Sequence, residues 1–314
     1  MMTDSVMNET ANAQRVERGT KRCVADAWKI VVFQWRTYLR AMAAYSMVAG
    51  IGLTLFIYIC GMVARKTLLP MYLLVKSGEK AEDVWNFYAP SMVEWGVPLS
   101  ACLLWWVAHV LWRSAVMSQA EHWAMHGSWP AGCFPLRRSV FGRWRRLLMF
   151  DVVASVVGLL LMAAVLFLVL KSSWWSVVPF VLLVLFLLWT AVARLHLAFH
   201  ATSVLKSYVA VAKDEARRLG SVLLLLVITG VIMLPITLMF AFPYVVPEGN
   251  ATYDAIGQIM GDAPALPAYF CWLYPLIGVV VGSFFYLVRG WQPLVLALRF
   301  LPYRREEKHR KDLQ

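Results

Sequence analysis

From Trp174 to Ala193 the chain carries only two polar residues, Ser176 and Thr190. About 20 such residues, coiled at 1.5 Å per residue, match the thickness of a bilayer's hydrocarbon core. No water reaches the backbone at that depth, so every peptide group must be satisfied within the segment, and the segment is a helix. The stretch has counterparts. Windows at about 41–63, 95–113, 148–170, 176–197, 221–242 and 270–289 share its character. Composition agrees: 61% of residues are hydrophobic and 15% charged, where a soluble domain carries about 25% charged residues. The expected fold is all-α, a polytopic integral membrane protein with six transmembrane helices. One membrane domain is expected over 24–300, between a disordered tail (1–23) and a basic tail (301–314). The polar start "MMTDSVMNETANAQRVERGTKRC" has no apolar core, so no cleaved signal peptide is expected.

A net charge of +12 invites a nucleic-acid reading, but the distribution of the charge argues against one. The basic residues concentrate before the first window, in the loops after the second and fourth, and after the sixth. The loop after the fifth has none, only Glu248, Asp254 and Asp262. By the positive-inside rule both termini are expected on the cytoplasmic side of an inner or plasma membrane. The same charge draws anionic lipid headgroups to that face. Tryptophans and tyrosines cluster near the window ends, as interfacial belts do.

Three basic, part-amphipathic stretches lead into the odd-numbered windows: "DAWKIVVFQWRTYLRAM", "RRSVFGRWRRLLMF" and "LKSYVAVAKDEARRLGSV". Such stretches favour the plane of the interface, so the chain is expected to be three hairpins, each preceded by an interfacial helix. In this layout, over about residues 24–300, the chain resembles six-span bacterial membrane families of unassigned function. One of these is the membrane domain that precedes some bacterial glycerophosphodiester phosphodiesterases. The resemblance implies a lipid-associated or partner-supporting domain rather than a catalyst, and it carries over no functional residues.

The chain contains no phosphate-binding loop, no GxSxG elbow and no HExxH. Its five cysteines are scattered without a CxxC pair, which is neither a zinc nor a disulfide framework. A polar set remains in the cytoplasmic third. His109 and Arg113 lie four apart on the second span, and Asp151 sits just inside the third. Arg194, His196 and His200 end the fourth. These six are candidates for a ligand or lipid-headgroup site, since ionisable residues at membrane depth are costly to keep without a role. Asp151 has two candidate partners, Arg113 and Arg194. His122 with His126, and His196 with His200, have the spacing of half a metal site, but no metal and no cofactor are expected. Arg194, His196 and His200 fall at the inner headgroup level, where long basic side chains snorkel into water. Gly278 and Gly282 form a GxxxG pattern that lets another helix approach closely, from within the chain or from a partner. Pro235 is expected to kink the fifth span.

The residues therefore favour a non-enzymatic integral membrane protein that binds lipid or supports a membrane partner complex, with homo-oligomers open and nucleic acid excluded. The alternatives are a small transporter or channel using the polar cluster, and a histidine-based metal or haem protein.

Overall fold

A computed structural model of the chain describes residues 20–78, 80, 92–126, 128–130, 132, 136–171, 177–200, 206–209 and 219–300. All regular structure among them is helical. The main helices are α1 (Thr20–Phe33), α2 (Trp35–Val63), α3 (Leu69–Lys76), α4 (Met92–His126), α5 (Arg137–Leu170), α6 (Val177–His200), α7 (Leu219–Ile259), α8 (Phe270–Arg289) and α9 (Trp291–Phe300). A single π turn, Ala64–Leu68, joins α2 to α3. Six helical stretches are long and apolar enough to cross a membrane: Trp35–Lys76, Trp95–His126, Arg137–Val169, Val177–Phe199, Val222–Ile259 and Phe270–Arg299. The chain is a multi-pass membrane protein.

The three basic stretches fare differently. The first is divided between α1 and the opening turns of α2, which part at a turn on Gln34. The backbone bonds run on across it, from the Gln34 N–H to the Ile30 carbonyl (3.1 Å) and from the Tyr38 N–H to the Gln34 carbonyl (2.9 Å). The second is not a separate helix: Arg137 to Met149 are the opening turns of α5 itself, unbroken to Leu170. The third lies mostly outside the described residues.

The fifth span is longer than its sequence implies. The apolar window closes near 242, yet α7 runs through Pro235, Pro243 and Pro247 to Ile259. Prolines are tolerated in membrane helices because neighbouring groups satisfy the carbonyls they free. The helix stops instead at Gly261, whose φ of 96° suits glycine best. There the Asp262 N–H returns to the Gly257 carbonyl (2.9 Å) and the Gly261 N–H to that of Gln258 (3.2 Å), the paired bonds that close a helix C-terminus. Glu248 and Asp254, read as loop residues, are therefore helical. Likewise, the segment after Arg65 continues as helix to Lys76, while most of 79–91 lies outside the described residues.

The chain divides into two compact units. One comprises residues 1–41, 113–231 and 290–314, and the other 42–112 and 232–289. In the first, α5 packs against α6, and α9 packs against α1 and α6. Cys23, Ala27 and Ile30 of α1 are buried, as are Trp291, Leu294, Val295 and Leu298 of α9. On α1 these follow the spacing of one helix face, whereas α9 is buried all round from Pro293 to Leu298. The Trp28 and Trp291 rings meet edge to face at 6.2 Å. In the second unit, α8 buries Tyr274, Gly278, Gly282 and Tyr286, one residue per turn along a single seam.

Only 6% of the most apolar window of Arg137–Val169 is buried by protein, against 22% or 28% for the other spans. Leu159, Leu160 and Phe167 stand exposed there. A surface that apolar is solvated by hydrocarbon.

Candidate functional site

In the first unit the polar residues form two ion-paired knots. Arg143 is buried, and each of its three guanidinium nitrogens donates a hydrogen bond. Nε donates to the Ala198 carbonyl (2.8 Å), Nη1 to Ser118 Oγ (2.6 Å) and Nη2 to the Glu121 carboxylate. Its guanidinium also lies over the Phe199 ring at 5.5 Å. One side chain thus ties α5 to α4 and α6. Arg143 is buried because it falls in step with Val140, Leu147 and Phe150, all fully buried on the same face of α5. Nearby, Ser114 Oγ donates to the Val140 carbonyl (2.7 Å), and Gln119 Nε2 to the Ala41 carbonyl (2.7 Å). Interhelical bonds of this kind hold membrane helices together where no hydrophobic drive separates helix from lipid.

The second knot is Asp151 with Arg194. Nε and Nη2 of Arg194 both reach Asp151 Oδ1 at 2.7 Å. Of the two pairings open to Asp151, the structure makes this one. Arg194 also sits over the Phe150 ring (5.9 Å), and Phe150 stacks on Tyr208 (5.1 Å). Burial pushes the Tyr208 phenol up, so it stays neutral and can hydrogen-bond to Thr190 (3.3 Å). His196 is buried. The side chain of His200 lies outside the described residues. Asp151→Asn is expected to cost about 1–3 kcal/mol, because it leaves a half-buried guanidinium against a neutral partner. The check is a thermal unfolding midpoint in detergent, and a midpoint equal to wild type would show that the pair is idle.

The remaining histidines are engaged locally. His122 Nδ1–H donates to the Ser128 carbonyl (3.1 Å) and His126 Nδ1–H to the His122 carbonyl (3.0 Å), with the two rings stacked at 4.3 Å. Among the described residues no three His, Cys, Asp or Glu side chains converge as metal ligands. Arg113 is half-buried in the first unit, whereas His109 belongs to the second. Of the candidates named from sequence, the first unit pairs Asp151 with Arg194.

In the second unit His109 sits among aromatic rings. Tyr286 OH accepts from Trp105 Nε1–H (2.8 Å) and lies 3.2 Å from His109 Nδ1. Trp112 meets Tyr286 edge to face at 4.9 Å.

Further along the same seam, Gly278 and Gly282 face α2. A Cβ at Gly278 would come within 2.6 Å of Thr54 Cγ2, and one at Gly282 within 3.2 Å of Gly50 Cα. The missing side chains make room for Tyr244, whose hydroxyl donates to the Gly278 carbonyl (2.6 Å) and lies 3.1 Å from Thr54 Oγ1. The pattern thus serves contacts within the chain. Beside it runs an apolar cleft of about 320 Å³. Leu53 and Ile57 of α2, Thr237, Phe240, Ala241, Tyr244 and Val245 of α7, and Phe285 of α8 line it, together with Glu248. Glu248 is held by Arg65 of the π turn. Gly61 leaves room for this pair, since a Cβ there would overlap the Glu248 carboxylate. Sequence reasoning counted Arg65 and Glu248 only as loop charges and did not find the pair, the cleft or the role of Arg143. No family model, curated protein or solved structure matches the chain; the geometry of its own residues carries the functional reading.

Proposed function

We propose that the chain is a non-enzymatic membrane protein that binds anionic phospholipid headgroups at the basic ends of its spans. On this reading both termini lie on the cytoplasmic side of an inner or plasma membrane. One observation carries it. Arg143 and Arg194 are consumed by Glu121 and Asp151. The opening turns of α5 nevertheless present Arg137, Arg138 and Arg145 exposed, and no carboxylate among the described residues pairs with them. Arg138, Phe141, Arg145 and Met149 share one exposed helix face. That face opposes the buried one carrying Val140, Arg143 and Leu147. Cations interleaved with outward apolar side chains suit the boundary between phosphates and acyl chains. Above Met149 the same side of the helix turns wholly apolar with Val152, Val153 and Val156, so the arginines sit where the hydrocarbon-facing surface begins.

Each basic residue at an anionic surface adds roughly 1 kcal/mol of attraction. Replacing Arg137, Arg138 and Arg145 together by glutamine should therefore lower the preference for phosphatidylglycerol over phosphatidylcholine about a hundredfold. Native mass spectrometry of protein equilibrated with mixed micelles reads this directly. Unchanged phosphatidylglycerol retention in the triple variant would sink the reading.

A further inference from the structure

We propose that the cleft in the second unit is a binding site for one acyl chain of a zwitterionic phospholipid, with the headgroup seated at Arg65, Lys66 and Glu248. This goes beyond the anionic-headgroup reading, because it concerns other residues and a lipid of different charge. The first argument is the lining. The cleft is walled by aliphatic and aromatic side chains, and Glu248 is the charged residue on it. Pockets of this volume and character take apolar ligands. The second is the medium. The walls come from helical stretches that cross the membrane, where the medium is hydrocarbon. A dry void of this size forfeits dispersion contacts on every wall atom, and an acyl chain restores them. Val245 is both a wall of the cleft and 64% exposed, with exposed Met239 and Phe242 on the same helix, so a chain enters sideways from the bilayer.

The third argument is charge. At the Glu248 end of the cleft a carboxylate and a guanidinium neutralise each other, and exposed Lys66 follows Arg65 in the π turn. Such turns within longer helices recur at functional sites. A headgroup carrying both signs complements this end, its ammonium toward Glu248 and its phosphate toward Arg65 and Lys66. An anionic headgroup offers no ammonium to Glu248.

The test uses wild-type protein and a phosphatidylethanolamine probe with a photoreactive diazirine near the acyl terminus, at a low lipid-to-protein ratio. Cross-linked peptides are mapped by mass spectrometry. The expected result is enrichment on the α2 and α7 segments that contain Leu53 and Ala241, at least tenfold over the lipid-facing α5 segment that contains Leu159 and Leu160. Equal labelling of cleft and α5 segments would overturn the site. A phosphatidylglycerol probe labelling the cleft as well as its zwitterionic counterpart would overturn the headgroup assignment. As a second variant, Ala241→Phe fills the cleft, and its cleft labelling should fall about tenfold while α5 labelling stays constant. Undiminished cleft labelling in that variant would count against the proposal. Should Ala241→Phe fail to fold, the wild-type map alone decides. Neither probe depends on Arg137, Arg138 or Arg145, so failure of this site and failure of the anionic-headgroup reading are separable.

Discussion

Gly50→Ala should lower the unfolding midpoint by on the order of 5–10 °C, a large effect for one added methyl. A Cβ at Gly50 would lie 2.7 Å from the Gly282 carbonyl carbon and 2.8 Å from Ser283 Cα. Both are backbone atoms, so no rotamer change relieves the clash and α2 must move away from α8. Overpacking of this kind costs about 1–3 kcal/mol and occasionally more, and here the displaced helix also strains the Tyr244 bonds to Gly278 and Thr54. At about 2–4 °C per kcal/mol for chains of comparable size, the midpoint shift follows. Gly230→Ala is the matched control. Nothing lies within 4 Å of a Cβ there, so alanine should be neutral or stabilise by about 0.5–1 kcal/mol through reduced backbone freedom. If the two variants unfold together, the close approach of α2 and α8 is absent.

Arg143→Met should be the most damaging change in the other unit. It removes the donor to the Ala198 carbonyl, the donor to Ser118 and the counter-ion of Glu121 at one stroke. Breaking a buried pair by deleting one partner costs about 3–5 kcal/mol, and the lower end applies because the Glu121 side chain is 32% exposed. Arg143→Lys should rescue little, since an ammonium on a flexible stem does not reproduce donors fixed in three directions. The informative comparison is the double variant Arg143→Met with Glu121→Met. It no longer leaves an unpaired carboxylate, so it should be more stable than Arg143→Met alone. Thermal unfolding and protease resistance in detergent measure both, and a double variant less stable than the single would refute the account of Arg143 as a pairing group.

The helical spans were legible because length and hydrophobicity alone fix where a chain can cross hydrocarbon. Where α7 ends was not, because the apolar window closes near 242 while the helix runs on through Pro243 and Pro247 to Ile259. The signal that α7 stops at Gly261 was present in the sequence but stood behind two apparent stops. Arg143 was legible in principle. Among the arginines of "RRSVFGRWRR" it keeps time with Val140, Leu147 and Phe150, which marks it as inward-facing, but a charge count made for orientation averages over that phase. Arg65 and Glu248 were illegible for a simpler reason. They lie 183 residues apart, and no local spacing connects them. The histidines drew attention because such residues are costly in lipid, yet His122 and His126 spend their Nδ1 protons on nearby backbone carbonyls.

The seam on α8 also has a consequence for how the chain is made. Thr54 and Tyr244 are 190 residues apart, and Gly50 waits for Gly282, which is later still. At about 5–20 residues per second of synthesis, α2 leaves the ribosome roughly 10–40 seconds before Tyr244 exists. For that interval the groove around Gly50 and Thr54 has no final partner. A newborn α2 must therefore lodge against lipid, a chaperone or the insertion machinery, and the last span to be born closes the second unit.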